Sequence, residues 1–126
     1  MAMNPIAWFE IYVENIERAK QFYETVLATS LEKLNDPNDS GIEMWSFPSS
    51  MESYGATGAL VKMEGFSSGG NSTLVYFACG DSAVEESIVE KAGGRIHQSK
   101  TSIGEYGFIS LAIDSEGNMF GLHSQR

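Results

Sequence analysis

Glu10 and His123 are the two residues best suited by type and spacing to move a proton. Glu10 sits in a run where Trp8, Glu10 and Tyr12 alternate with Phe9, Ile11 and Val13. That period of two marks a strand whose faces differ in chemistry. A carboxylate held among aromatic rings has its pKa raised by desolvation unless a partner offsets it. A raised carboxyl pKa suits a general acid or base. His123 follows Met119 and Gly121 on the same face of an alternating run near residue 126. An imidazole near a carboxylate is a common proton-transfer pair, so His123 is the natural companion for Glu10. The competing reading leaves Glu10 satisfied by a nearby hydroxyl or backbone amide. His97 reads as an ordinary strand residue.

Around these two, Trp8, Tyr12, Tyr76 and Met119 fall on the corresponding strand faces, with Tyr106 in a short loop beside them. Aromatic walls carrying a few polar groups are the usual lining of a small-molecule pocket. The same rings packing together and filling the space is the alternative. The segment 48–57, with Met51, Tyr54 and Gly55, is long for a strand connection and reads as a lid.

The elements that must position these residues fall into two matching series. The strand over 6–13 is followed by Asn15 as a candidate N-cap and by Ile16, Ala19, Tyr23 and Val26 at helical spacing, with Phe22 and Leu27 widening the apolar face. Strands are expected over 30–34, 42–47 and 58–63, with a turn over Asn35–Gly41. A Gly/Ser-rich connector at about 64–71 leads to the second series. There a strand over 73–79 precedes a helix capped by Asp81 or Ser82. Glu85 stands in capping-box position behind Ser82, and Val84, Ile88 and Ala92 share one face. Gly93 and Gly94 stop that helix. Strands over 95–99, 107–114 and 119–124 complete the set, the last two joined by a hairpin turn at 114–118. A shift of about 66 positions sets Trp8 against Leu74 and Asn15 against Asp81, an internal repeat. The expected fold class is α+β, one domain over 1–126 made of two βαβββ repeats, about 4–63 and 72–126. Paired, they bury part of their inner faces and leave a concavity.

Length and composition fit this plan. A chain of 126 residues with 42% hydrophobic and 20% charged residues has an ordinary globular balance. Seventeen acidic against eight basic residues give a net charge of −9, which repels phosphate backbones and argues against nucleic acid. No apolar run approaches the roughly 20 residues that span a bilayer. The single cysteine, Cys79, forms no internal disulfide and suits a reducing compartment. The protein is therefore expected to be cytoplasmic, with no membrane partner.

The stretch from Trp8 to Tyr23, the segments 75–79 and 92–94, and the turn Asp114-Ser115-Glu116-Gly117-Asn118 resemble the vicinal oxygen chelate superfamily. That superfamily comprises glyoxalase, bleomycin-resistance and extradiol-dioxygenase proteins, and the turn is similar to its D-P-D-G-N hairpin with Ser115 replacing proline. The resemblance implies an eight-stranded, incompletely closed, barrel-like cup with helices outside, and a homodimer. It also implies that metal-dependent members place ligands at positions matching Trp8, Ala59, Leu74 and Gly121. None of these four side chains coordinates a cation. Glu10 and His123 remain as candidate ligands, and two ligands make a weak site where catalytic zinc takes three. The expectation is a cup without metal or other cofactor that binds a small aromatic or cationic ligand. Two alternatives stand beside it. One is a glyoxalase-related lyase or isomerase, or a dioxygenase-like enzyme, using Glu10 and His123. The other is a non-catalytic interaction module.

Overall fold

Alternation along the strands and one amphipathic helix per half determine the architecture. The computed structural model describes residues 4–35, 41–50, 52–53 and 55–126. The first half runs β1 (Phe9–Tyr12), α1 (Ile16–Leu27), β2 (Glu32–Leu34), β3 (Glu43–Ser46) and β4 (Gly58–Lys62). The second runs β5 (Tyr76–Ala78), α2 (Ser82–Val89), β6 (Arg95–Ser102), β7 (Phe108–Ile113) and β8 (Met119–Ser124). The sheets have strand orders β1-β4-β3-β2 and β5-β8-β7-β6, so β1 and β5 are edge strands in equivalent places. Each edge strand pairs in parallel with the last strand of its own half, and the other pairings are antiparallel. This is the expected pair of βαβββ modules forming an incompletely closed cup. Most of the turn expected over Asn35–Gly41 lies outside the described residues.

Helix α1 begins where Asn15 Oδ1 accepts the Arg18 amide at 3.0 Å, and it buries Ile16, Ala19, Phe22, Tyr23 and Val26. These pack on Ile11 and Val13 of β1, Leu60 of β4, and Ala112, Phe120 and Leu122 of the second half. Where the halves meet, Phe9, Tyr23, Phe47, Phe77 and Phe120 form a cluster with ring centroids 5.4–6.0 Å apart. Tilted and edge-on contacts of this kind suit the ring quadrupole. The core thus lies on the Phe9, Ile11, Val13 face of β1, and Trp8, Glu10 and Tyr12 face away from it. At Gly94 a Cβ would strike the Ile113 carbonyl and the Phe22 ring, so only glycine lets β6 start so close to the core.

Helix α2 departs from its expected phase. Asp81 is the N-cap, its Oδ1 accepting the Ala83 amide at 3.0 Å, so Glu85 forms no capping box. The buried positions are Ser82 and Val89, while Val84 is exposed. A polar layer lies under the helix: the Ser82 amide donates to Ser124 Oγ, and Ser110 Oγ donates to Glu86 Oε1 at 2.8 Å. Apolar periodicity does not register a buried face made of serines and a glutamate.

The β7–β8 hairpin joins the halves. Asp114 Oδ1 accepts the amides of Glu116 and Asn118, and its Oδ2 accepts the Tyr23 hydroxyl at 2.6 Å. The Glu116 side chain, fully buried, accepts the Glu14 and Asn15 amides and both Nε and Nη2 of Arg18. Asn118 Nδ2 donates to the Tyr12 carbonyl, and Asn118 Oδ1 accepts the Gly69 amide. One five-residue turn therefore supplies acceptors for the orphan amides at the start of α1 and holds the connector.

Candidate functional site

The even-numbered face of β1 carries an ordered polar row. Trp8 Nε1 donates to Glu10 Oε2 at 3.2 Å, and the Tyr12 hydroxyl donates to Glu10 Oε1 at 2.7 Å. Strand geometry brings this about, because residues two apart share a face. The Glu10 hydrogen bond, with burial and the carboxylate charge adding to it, raises the Tyr12 phenol above its ordinary value, so Tyr12 stays a neutral donor. Tyr12 also stacks on Phe66, with centroids 5.0 Å apart and planes 24° from parallel. Glu10 itself is exposed and is paired by two neighbouring side chains.

A cavity of about 280 Å³ runs along the open edge of β1, lined by Glu10, Tyr12, Asn71, Thr73, Val75 and Met119 among others. Its rim comes largely from the connector, where Asn71 Nδ2 donates to the Thr73 and Met119 carbonyls and Asn71 Oδ1 accepts the Met119 amide. Phe66, Asn71 and Thr73 were not legible as site residues. A Gly/Ser-rich stretch reads as linker, and what recruits it here is the long-range contact of Gly69 and Ser68 with the hairpin.

The remaining candidates gather on the second sheet. Met119, Gly121 and His123 share the face of β8 opposite Phe120 and Leu122. Tyr76 pairs in register with Gly121 and lies over it, so that a Cβ at Gly121 would collide with the Tyr76 ring. His123 Nε2 is 2.7 Å from the Tyr106 carbonyl oxygen. A carbonyl only accepts, which assigns the proton to Nε2. Tyr106 closes a 3-10 turn, Gly104–Tyr106, secured by the Ile103 amide donating to the Gly107 carbonyl, and its ring is exposed. The structure thus brings Trp8, Glu10 and Tyr12 into direct contact and adds Met119 at the cavity. Trp8, Tyr76, Tyr106 and His123 do not line that cavity, and among the described residues no hydrogen bond joins His123 to Glu10.

The connection between β3 and β4, expected as a lid, lies elsewhere. Its described residues Pro48, Ser50, Ser53 and 55–57 line a second cavity, at the opposite end of the seam between the halves. Met51 and Tyr54 lie outside the described residues.

Comparison with known proteins gives the architecture a name. No family model matches the chain, and no curated protein matches it significantly. Among solved structures, an antibiotic binding protein, TnmS3 from Streptomyces sp. CB03234, aligns with TM-score 0.66 and 22% identity, over 98% of each chain. A glyoxalase/bleomycin resistance protein/dioxygenase family enzyme from Burkholderia phytofirmans aligns with TM-score 0.68 and 12% identity, over 95% of this chain and 98% of that one. Glyoxalase I from Zea mays aligns with TM-score 0.74 and 20% identity over 96% of this chain, which spans 46% of the maize chain. The fold is that of the glyoxalase and bleomycin-resistance proteins.

A glyoxalase-type fold raises the question of a chelated cation. The positions that the sequence resemblance implies for metal ligands hold Trp8, Ala59, Leu74 and Gly121, whose side chains offer a cation no lone pair. At the last of them the Tyr76 ring occupies the space a ligating side chain would enter. Among the described residues no three His, Cys, Asp or Glu side chains converge on a point. The residues at these positions do not fit a divalent metal. Among the described residues, too, no helix is long and apolar enough to cross a membrane.

Proposed function

We propose that this protein binds a small aromatic or cationic molecule in a metal-free cup, with Glu10 as the anionic anchor and Trp8 and Tyr12 as the aromatic wall. The observation that carries the reading is the Trp8–Glu10–Tyr12 row, a carboxylate held by two aromatic donors beside a 280 Å³ cavity. A held carboxylate is preorganised, so a bound cation has less side-chain entropy to offset. Indole and phenol faces attract cations as well. The net charge of −9 adds a field of the same sense. TnmS3, a protein of this fold that binds an antibiotic, supports a binding role for such an architecture. Met119 lines the same cavity within one chain, and Tyr76, Tyr106 and His123 would form the opposite wall when a second copy of the chain brings its second sheet over β1. Half-exposed Trp8 and Tyr76 are the kind of surface such a homodimer covers. A cytoplasmic location completes the reading.

The test is calorimetric titration with planar aromatic cations and their neutral isosteres. Cations are expected to bind at least about tenfold more tightly than neutral partners, and Glu10→Gln is expected to erase that preference. Equal binding of both classes by the wild type would overturn the role of Glu10. In parallel, protein incubated with nickel, zinc, manganese or iron(II) is expected to retain no stoichiometric metal after desalting. A retained equivalent with a raised Tm would overturn the metal-free reading.

A further inference from the structure

The second cavity, about 270 Å³, lies on the opposite side of the seam from the hairpin that joins the halves. In the second half the β7–β8 hairpin stands in the equivalent place, beside the first cavity, and its Asp114 and Glu116 carboxylates are engaged by hydrogen bonds. In the first half the β3–β4 connection is longer, and Thr57 Oγ1 donates to the Phe47 and Pro48 carbonyls at its base. The space beneath is walled by Phe9, Phe47 and Phe77, with Leu27 and Thr29 from the end of α1. Glu85 of α2 also lines it, and its Oε1 is buried with no hydrogen-bond partner. None of the ion pairs among the described residues involves Glu85. The neighbouring Cys79 cannot serve as counter-charge. Burial first, then the Glu85 charge and a hydrogen bond to the Glu85 side chain, push its thiol up to about 12, and its Sγ lies 3.6 Å from the Phe77 carbonyl.

An unpaired buried carboxylate oxygen costs several times what a satisfied one does, and capping does not explain this one, since Asp81 performs that task. We infer that the seam cavity is a second ligand site, taking a small primary ammonium ion with an aromatic or branched apolar body. The ammonium donates to Glu85 Oε1, a charge-assisted bond, and the apolar body packs against the edges of Phe9, Phe47 and Phe77. The volume is at the small end for ligand pockets, which run from about 300 Å³ upward. That limits the occupant to a single ring or its equivalent. The site is independent of Glu10 and of the cup.

Benzylamine, charged at pH 7, and benzyl alcohol, its neutral isostere, are the probes, titrated calorimetrically into the full chain. Wild type is expected to bind benzylamine at least about tenfold more tightly than benzyl alcohol. Glu85→Gln removes that margin, Glu10→Gln preserves it, and Thr29→Trp, filling the cavity with Glu85 intact, abolishes binding of both probes. Benzylamine binding that is lost in Glu10→Gln and kept in Glu85→Gln overturns the inference and assigns the amine to the cup. No binding at millimolar benzylamine overturns it too. If Glu85→Gln fails to fold, Thr29→Trp decides: unchanged binding in that variant overturns the site.

Discussion

Three glutamates show how differently one residue type is used. Glu10 is exposed and held by neighbours on its own strand, Glu85 faces a cavity with one oxygen unpaired, and Glu116 is buried under five donors. Burial alone would push the Glu116 carboxyl up. The Arg18 guanidinium, the Asn15 and Glu14 amides and the Ser115 hydroxyl outweigh it and hold the group below its ordinary value. A carboxyl depressed in the folded state adds stability above its unfolded pKa, and that stability is lost as pH falls through the folded value. Asp114 runs the other way: burial dominates and raises it, so acid relieves its cost. The expected outcome is that Glu116→Gln lowers unfolding stability at pH 7 by about 3 kcal/mol. Its stability should also fall less between pH 5 and pH 3 than that of wild type. Urea titrations across that range check both. Arg18→Ala costs less than Glu116→Gln, because the Arg18 side chain is 55% exposed and solvent screens its charge. In the sequence this turn was legible as a hairpin and as a family resemblance. Its role in joining the halves was not, because the partners lie about a hundred residues away.

At the scale of elements, periodicity was a good guide where the buried face is apolar and a poor one elsewhere. Helix α1 buries the expected residues, and β8 spans Met119–Ser124 as the alternation predicts. The strand expected over 6–13 shortens to β1, Phe9–Tyr12, since only residues opposite Gly58–Val61 find ladder partners. β6 extends to Ser102, past its expected end, through two register shifts against β7. Of the face expected for α2, Ala92 packs against the core and Ile88 is half-buried, but Val84 is exposed and the fully buried positions are Ser82 and Val89, where hydrogen bonds to Ser124 and Ser110 seat the helix. Val84→Lys is therefore expected to change stability by less than about 0.5 kcal/mol, whereas Val89→Ala costs about 2 kcal/mol. Chemical denaturation of the two variants distinguishes the phases directly. The candidate site was legible in part for the same reason: Trp8, Glu10 and Tyr12 follow from alternation, whereas Phe66 and Asn71 arrive through a fold-back that no local pattern announces.

Over the whole molecule, the two βαβββ modules are neither separate bodies nor a closed barrel. Their common aromatic cluster draws Phe9, Tyr23 and Phe47 from one half and Phe77 and Phe120 from the other. The repeat in the sequence revealed two units of the same plan. It did not reveal that the Phe9 face would be shared and the Trp8 face turned outward, since both faces of β1 carry large apolar rings. The two ends of the seam have diverged as well, one cavity lying beside a short polar hairpin and the other beside a longer connection.

The hairpin that ties Glu116 to the start of α1 also dictates a sequence of events during synthesis. The Glu14 amide waits for a carboxylate 102 residues downstream, and the Tyr23 hydroxyl for one 91 residues downstream. At about 5–20 residues per second, the wait from Glu14 to Glu116 lasts about 5–20 s. Throughout that interval the first module stands on the ribosome with the Glu14 and Asn15 amides lacking their Glu116 acceptor and the Tyr23 ring lacking Phe120. The nascent chain is thus a client for holding chaperones until its last two strands emerge.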